Sequence, residues 1–266
     1  MKITALVENT SNCGLKAVHG LSFYIETRLH RLLFDLGPGE ALFHNAERLG
    51  IDLTAVDTVI LSHGHYDHGG ALKKFLALNP TAKIYAQRTA FEPHYHYFTE
   101  RFFKLNIGLE PALANAPCVV LLNGDHTIDE ELTLFTAKGE DTFRSEANRV
   151  LYDKTGPDDF RHEQNLLLTE NAPVLFTGCA HSGVIRILQS VPGPRPVCCI
   201  GGFHVYNPAS RKTVSLSQLE TLSAALQDYA DVRFYTCHCT GKKAFDYFRE
   251  RSENVFYIAA GDVLEI

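Results

Sequence analysis

The densest group of side chains that could do chemistry in this chain lies within six consecutive residues, His63-Gly64-His65-Tyr66-Asp67-His68. Imidazole nitrogens and carboxylate oxygens are good ligands for zinc, iron or manganese. Four such side chains within this short segment exceed what one tetrahedral ion normally draws from a single loop. We therefore expect two adjacent ions, with His63 and His65 on one and Asp67 and His68 on the other.

The residues on either side of this segment indicate how its ligands are positioned. An apolar strand is predicted over residues 58–61 directly before it, and a helix over residues 71–78 after it. Gly64, Gly69 and Gly70 can adopt backbone conformations that other residues avoid, so that alternate side chains of the loop can converge. A lone histidine usually belongs to an ordinary polar surface, but this spacing between a strand and a helix favours a metal site.

The overall composition is that of a globular protein and excludes several functional classes. The chain has 266 residues, of which 45% are apolar and 21% charged. Its net charge of −6 does not favour a nucleic-acid or anionic-membrane partner. Its apolar stretches are shorter than the roughly 20 residues that a membrane span needs, and we read no signal peptide at the start. The seven scattered cysteines contain no CxxC pair, which favours a reducing cytoplasm.

Strand-like and helical patterns alternate along both halves of the chain, which predicts an α/β protein with helices covering sheets. Between residues 90 and 117 the pattern is looser and rich in aromatic residues. The predicted helices span residues 40–49, 71–78, 184–189, 216–229 and 242–251. The predicted strands span residues 21–27, 31–35, 58–61, 83–86, 118–122, 132–136, 165–169, 174–177, 197–200, 232–235 and 255–259.

The segment His63–His68 matches HxHxDH at every position and so resembles the signature of the metallo-β-lactamase superfamily. The resemblance implies a four-layer αβ/βα sandwich, with the metals in a cleft at one edge of the sheets. It implies a single domain over residues 1–266, made of two similar halves. The alternation of strands and helices on both sides of residues 125–165 predicts that the halves meet there. Phe34-Asp35-Leu36-Gly37 is similar to the family's strand-end Asp-x-Gly motif, whose carboxylate orients a metal-bound histidine.

Four further segments resemble one branch of that superfamily, the group related to the archaeal enzyme that makes 7,8-dihydropterin-6-methyl-4-(ribofuranosyl)aminobenzene 5′-phosphate. That branch is functionally mixed, so the resemblance names no substrate for this chain. The segments are His19-Gly20-Leu21-Ser22, Gly178-Cys179-Ala180-His181-Ser182-Gly183, Gly201-Gly202-Phe203-His204 and Cys237-His238-Cys239-Thr240-Gly241.

The resemblance also implies where the remaining ligands lie. His181 follows a strand and is expected to complete the histidine set of the first ion, while His238 is near the C-terminus, where the superfamily places its last histidine ligand. Cys179 occupies the position at which hydrolases of the superfamily usually have a bridging aspartate. Its thiolate could bind the second ion, or the residue could simply be small and buried. Between residues 136 and 174 we find no second His-Thr-x-Gly-His segment, so the number of ions stays open.

Other residues are assigned to supporting roles. Asp35 and His19 are expected beside the ligands. His204 could bind metal, contact the substrate or donate a proton to a leaving group, and it is the candidate for that proton donor. His162 is expected at the pocket rim or surface, and His94, His96 and His126 on the solvent or substrate side. Cys237 and Cys239 flank His238, but strand alternation predicts that their side chains point away from it, so no separate zinc site is predicted there.

The aromatic segment is the expected source of substrate contacts. It could cap the cleft and stack on a flat ring, or its aromatic side chains could simply pack against the core. The residues assigned to substrate binding are Phe91, Arg88, Tyr97 and Arg101.

The expected function is that of a metal-dependent hydrolase, in which zinc, or iron or manganese, activates water against a small-molecule ester, lactone or phosphoester. Asp67 would anchor one ion and accept a hydrogen bond from the nucleophile. One alternative is a pterin-type synthase or transferase acting on a phosphorylated substrate. Another is a metal-dependent binding protein without turnover. A cytoplasmic location is expected, and a homodimer is left open.

Overall fold

The structure is a computed structural model that describes residues 1–98, 103–140 and 143–266. Strands and helices alternate in the first part of the chain. They are β1 (Lys2–Val7), β2 (Ser22–Glu26), β3 (Arg31–Phe34), α1 (Glu40–Leu49), β4 (Thr58–Ile60), α2 (Tyr66–Gly69), α3 (Leu72–Leu78), β5 (Lys83–Gln87), β6 (Tyr95–Phe98), β7 (Phe103–Asn106) and β8 (Val119–Leu122).

The second part of the chain continues the alternation and ends in a strand. Its elements are β9 (His126–Thr127), β10 (Leu132–Phe135), β11 (Leu151–Tyr152), β12 (Asn165–Thr169), β13 (Pro173–Phe176), α4 (Val184–Gln189), β14 (Cys198–Gly201), β15 (Tyr206–Asn207), β16 (Lys212–Thr213), α5 (Leu216–Leu226), β17 (Arg233–Thr236), α6 (Lys242–Arg249), β18 (Val255–Tyr257) and β19 (Val263–Glu265).

Two seven-stranded mixed sheets form the frame of the molecule. The first has the order β19-β1-β2-β3-β4-β5-β8, and the second β18-β17-β14-β13-β12-β10-β9. The strands β3, β4, β5 and β8 run parallel to one another, as do β13, β14, β17 and β18. Neighbouring parallel strands end at the same edge of a sheet, so the loops that follow them lie side by side.

The apolar core divides into three layers. Helices α1 and α3 pack against the outer face of the first sheet, for example through Leu42 and Phe75. The inner faces of the two sheets pack against each other, with Phe34 opposite Phe176 at a ring-centroid distance of 5.7 Å. Helices α4, α5 and α6 cover the outer face of the second sheet, for example through Leu222 and Phe248. Helix, sheet, sheet and helix layers follow in that order, which confirms the predicted αβ/βα sandwich.

Local sequence signals explain several element boundaries. Helix α1 ends at Gly50, which adopts a left-handed conformation with φ of 69°. Helix α5 begins after Ser215, whose side chain accepts a hydrogen bond from the backbone N–H of Gln218. The aromatic segment was predicted to be irregular, but it contains β6 and β7, which form a small sheet with β11. None of the helices in the described part of the chain combines the length and apolar character that crossing a bilayer requires.

Candidate metal centre

The segment after β4 brings its ligand-type side chains into the interior. His63 and His68 are fully buried, and His65 and Asp67 nearly so. Gly64 lies so close to a neighbouring segment that a Cβ there would be 2.3 Å from the carbonyl oxygen of Ala90. Only glycine therefore allows the loop to pass at this point without displacing its neighbour.

One group of histidines gathers around His63. Its Nε2 lies 3.1 Å from Nδ1 of His65. The ring of His181, in the turn after β13, lies 4.9 Å between centroids from each of these two rings. The Nε2 atoms of His65 and His181 are buried and have no hydrogen-bond partner among the described residues.

A second group gathers around His68. Its Nε2 lies 3.2 Å from Nε2 of His238, which follows β17. A carboxylate oxygen of Asp67 lies 3.3 Å from Nε2 of His238 and 3.8 Å from Nε2 of His68. His19 lies 3.2 Å from the same oxygen through its Nε2, and its ring stacks on that of His238 at 4.5 Å.

Cys179 lies between the two groups. Its Sγ is 3.2 Å from Nε2 of His68. It also lies within 4.8 Å of ligand atoms of His63 and His181 on one side and of His68 and His238 on the other. The thiol is thus the side chain that both groups share, which agrees with the expectation that Cys179 could bind an ion.

The ring orientation of four of these histidines is fixed from outside the cluster. In each case a side-chain oxygen bonds Nδ1 and leaves Nε2 for the cluster, an arrangement that is typical of metal ligands. The bonds are Ser62 Oγ to His63 at 2.8 Å, Asp35 Oδ2 to His68 at 2.7 Å, Asn148 Oδ1 to His181 at 2.9 Å and Asn9 Oδ1 to His238 at 2.9 Å. Asn9 and Asn148 were not predicted, since single asparagines carry no spacing signal.

The electrostatics suit metal ligands as well. Burial, followed by repulsion between neighbouring imidazoles, holds the pKa values of His63, His65 and His181 well below the usual range, so their lone pairs are available. Burial alone would raise the pKa of Asp67, but the charge of His68 and hydrogen bonds from His19 and His238 lower it well below its usual range.

His68 behaves differently, because it contacts the buried carboxylate of Asp35. Burial alone would lower the pKa of His68, but Asp35 and Asp67 raise it to about 9. A metal ion on its Nε2 would therefore have to displace a proton. Crowded ring nitrogens, unpartnered buried lone pairs and an ionised carboxylate together form a donor set that fits one or two divalent cations.

A buried cluster next to His65 corrects part of the sequence interpretation. His94 and His162 were expected at the surface or the pocket, but both are almost completely buried. Asp158 Oδ2 lies 3.0 Å from Nδ1 of His94 and 3.2 Å from Nε2 of His162. Nδ1 of His162 accepts a hydrogen bond from the backbone N–H of Gly64 at 2.9 Å. The cluster therefore supports the loop that carries His63 and His65.

A cavity of about 310 Å³ opens over the histidine groups. Its polar floor contains His19, His65, Asp67, Cys179, His181, His204, His238 and Cys239. Its other described lining residues are Tyr66, His96, Phe98, Leu105, Ile107, Ala147, Leu151, Asn207, Pro208 and Ala209.

Three of the residues expected to contact a substrate lie elsewhere. Phe91 is buried in the apolar core on the outer face of the first sheet, and Arg88 borders a different cavity. Tyr97 packs on Tyr152 at a ring distance of 4.6 Å. Strand alternation in β6 explains the last case, because it turns His96 and Phe98 toward the cavity and Tyr97 away from it. Arg101 lies outside the described residues.

Two residues from later turns complete the floor. The ring of His204 lies 4.0 Å from that of His181. The side chain of Cys239 was expected to point away from His238, and its thiol lies within 4.8 Å of Cys179 Sγ and a His204 ring nitrogen. The strand ends at Thr236 and His238 then adopts a left-handed φ of 49°, so strand alternation does not determine the direction of the Cys239 side chain.

Comparison with known proteins places this geometry in a family. The Metallo-beta-lactamase superfamily model matches residues 15–146. The chain is 28% identical over 296 aligned residues to the 7,8-dihydropterin-6-methyl-4-(beta-D-ribofuranosyl)-aminobenzene-5′-phosphate synthase of Methanocaldococcus jannaschii, covering 100% of this chain and 96% of that protein.

Solved structures agree with the sequence match. The crystal structure of Tm1679, described as a metal-dependent hydrolase of the beta-lactamase superfamily, superimposes with a TM-score of 0.79 at 25% identity, covering 100% of this chain and 99% of that one. An isothiocyanate hydrolase from Delia radicum gut bacteria shares the fold, with a TM-score of 0.57 at 14% identity and coverage of 100% and 99%. The resemblance seen in the sequence is confirmed, and the chain belongs to the metallo-β-lactamase superfamily.

Proposed function

We propose that this protein is a metal-dependent hydrolase that acts on an uncharged ester or lactone of a small molecule. In this proposal the two histidine groups hold one or two divalent ions, with zinc preferred. The observation that carries the proposal is the position of the donor cluster at the floor of an otherwise mainly apolar cavity. Such a cavity binds the apolar part of a ligand and leaves few polar groups to orient it.

The cavity wall favours an uncharged substrate over a phosphorylated one. Phe98, Leu105, Ile107 and Leu151 contribute the apolar part of the cavity lining. Among the described residues that line the cavity there is no lysine or arginine to pair with a phosphoryl group. An acyl chain or apolar ring would pack on this wall, with its carbonyl group directed to the floor.

Each polar side chain then has a defined task. A bound divalent ion would lower the pKa of water and polarise the carbonyl oxygen. Asp67 is held ionised, so it can anchor an ion and accept a hydrogen bond from the attacking water. His19 contacts the same carboxylate and restricts its orientation. His204 lies on the cavity floor, where it can contact the leaving group.

A synthase that acts on a phosphorylated pterin-type substrate is the second candidate. It is favoured by the 28% identity to the archaeal synthase over the whole of this chain. In that case the ions would stabilise a phosphorylated leaving group, and a cation from outside the described cavity lining would bind the phosphate.

Turnover assays with zinc-loaded protein separate the candidates. The substrates are a panel of acyl esters, lactones and phosphoesters, together with a reduced pterin supplied with a phosphorylated co-substrate. We expect hydrolysis of esters or lactones, and we expect His63→Ala to reduce metal content and hydrolysis together. His126→Ala is the matched control, because His126 stacks on Tyr85 away from the cluster.

The other outcomes have clear meanings. Product formation from the pterin pair without ester or lactone hydrolysis would replace the hydrolase proposal by the synthase. Tight zinc binding with no turnover in the whole panel would favour a binding protein.

A further inference from the structure

We infer that Cys179, His204 and Cys239 form a third metal-binding group, a thiolate–imidazole triad for a soft divalent ion on the cavity side of the histidine groups. The inference goes beyond the proposed hydrolase, since it concerns which ions the centre binds and through which atoms. It also gives His204 the role of a ligand instead of a proton donor.

The topology of the second sheet brings the three residues together. They follow β13, β14 and β17, which are neighbouring parallel strands. Each is the third residue after its strand ends, at Phe176, Gly201 and Thr236 respectively. Parallel neighbours end at one edge of a sheet, so equivalent positions in the three turns lie side by side.

Distances and burial support ligand roles for the three side chains. One ligand atom from each residue lies within 4.8 Å of those of the other two. Cys179, His204 and Cys239 are only 3%, 7% and 2% exposed. Both ring nitrogens of His204 are buried and have no nitrogen or oxygen partner among the described residues, and the thiol of Cys239 is the polar group that interacts with the ring. A thiol is a weak hydrogen-bond partner for a buried imidazole, and a metal ion would satisfy one of the ring nitrogens better.

The backbone beside the triad leaves room for the thiol of Cys239. A Cβ on Gly202 would lie 2.3 Å from Cys239 Sγ. Any side chain at position 202 would therefore displace the sulfur. The glycine allows the thiol to lie against the backbone and within reach of Cys179.

Coordination chemistry indicates the kind of ion. Two thiolates and one imidazole form a soft donor set that prefers zinc, cobalt or cadmium over magnesium or calcium. All three residues line the cavity, so a fourth coordination position would face it. Three protein ligands with an open position are typical of catalytic rather than structural zinc sites. Cys179 is shared with the histidine groups, so the triad would extend the same centre.

Cobalt substitution tests the triad without relying on activity. Thiolate ligands give Co²⁺ a charge-transfer absorption in the near ultraviolet, and total bound cobalt is measured by elemental analysis after dialysis. We expect Cys239→Ser to lose about half of this absorption, because one of two thiolates is removed, and to bind less cobalt. Cys237→Ser is the matched control, because Cys237 is buried between the sheets and should leave both readings unchanged.

A second variant keeps the test decisive if Cys239→Ser folds poorly. His204→Ala removes the third ligand, and we expect it to lower bound cobalt while circular dichroism stays unchanged. Wild-type absorption and cobalt content in a folded Cys239→Ser or His204→Ala variant would overturn the inference. His63→Ala tests the histidine groups separately, so failure of the triad would not be confused with failure of the proposed hydrolase.

Discussion

Oδ2 of Asp35 lies 2.7 Å from Nδ1 of His68, and both side chains are fully buried. The same carboxylate accepts hydrogen bonds from the backbone N–H and the hydroxyl of Ser62, each at 2.7 Å. Three donors therefore converge on one buried carboxyl group directly after β3. Because Ser62 also bonds Nδ1 of His63, Asp35 is linked to both histidine groups.

We predict that Asp35→Asn weakens metal binding by about 10- to 100-fold, which is the usual effect of removing a carboxylate that orients a ligand histidine. The amide is neutral and can accept at one oxygen only, so it cannot keep all three donors. Competition with a chromophoric chelator measures the affinity. Asp246→Asn, which breaks an ion pair with Lys242 at the surface, is the control. Equal affinity in wild type and Asp35→Asn would show that Asp35 only packs.

Asp158 is predicted to hold the ring of His162 in place next to the loop that carries His63 and His65. Nδ1 of His162 accepts a hydrogen bond from the backbone N–H of Gly64, so its proton lies on Nε2, which donates to Asp158 at 3.2 Å. Because the backbone N–H keeps this tautomer in Asp158→Asn, we expect a weaker hydrogen bond and a shifted Nε2 resonance in nitrogen-15 NMR spectra of His162, with a drop in metal affinity of about tenfold. Asp159→Asn is the control, because the neighbouring carboxylate pairs with Arg161 at the surface. Unchanged metal affinity in Asp158→Asn would refute the prediction.

The close approach at Gly64 leads to a stability prediction. We expect Gly64→Ala to lower the free energy of unfolding by about 1–3 kcal/mol, as overpacking commonly does. Its new methyl group would meet the Ala90 carbonyl oxygen at 2.3 Å and Nε2 of His94 at 2.8 Å. Urea denaturation of the metal-free protein measures the change. At Gly156 a Cβ meets nothing within 4 Å, so Gly156→Ala should cost far less. Equal costs for the two variants would contradict this account.

The sequence predicted the bounds of those helices and strands whose ends are set by nearby residues. Helices Glu40–Leu49 and Val184–Gln189 and strand Asn165–Thr169 have the predicted bounds, because an apolar periodicity and a clear end signal coincide there. Short edge strands such as β15 and β16 were missed, since two residues give no periodicity.

The candidate site was predictable to a similar extent. The contiguous ligand-type residues from His63 to His68 were singled out, and the structure places them together. The pairing of His94 with Asp158 was not predicted, because the two residues are 64 positions apart and only the folded chain brings them into contact. Cys239 was not assigned to the site for another reason. The direction of its side chain depends on where β17 ends and not on its residue type.

The last prediction concerns the pH dependence of stability, through His30, which does not line the cavity. Nδ1 of His30 lies 2.8 Å from Asp57, and its Nε2 lies 2.7 Å from Asp129. Burial alone would lower the pKa of His30, but the hydrogen bonds to the two carboxylates raise it above the 6.5 of a free histidine. Because the pKa of His30 is raised in the folded state, the stability that its two ion pairs contribute is complete below pH 6.5. That contribution is lost as the pH rises through the pKa that His30 has in the folded protein.

We therefore expect His30→Gln to lower the free energy of unfolding by roughly 1 kcal/mol or less, since partly exposed ion pairs contribute little. The effect should be strongest under mildly acidic conditions. Urea denaturation across a pH series, with His126→Gln as control, measures this. A stability difference between wild type and His30→Gln that grows with increasing pH would contradict the prediction.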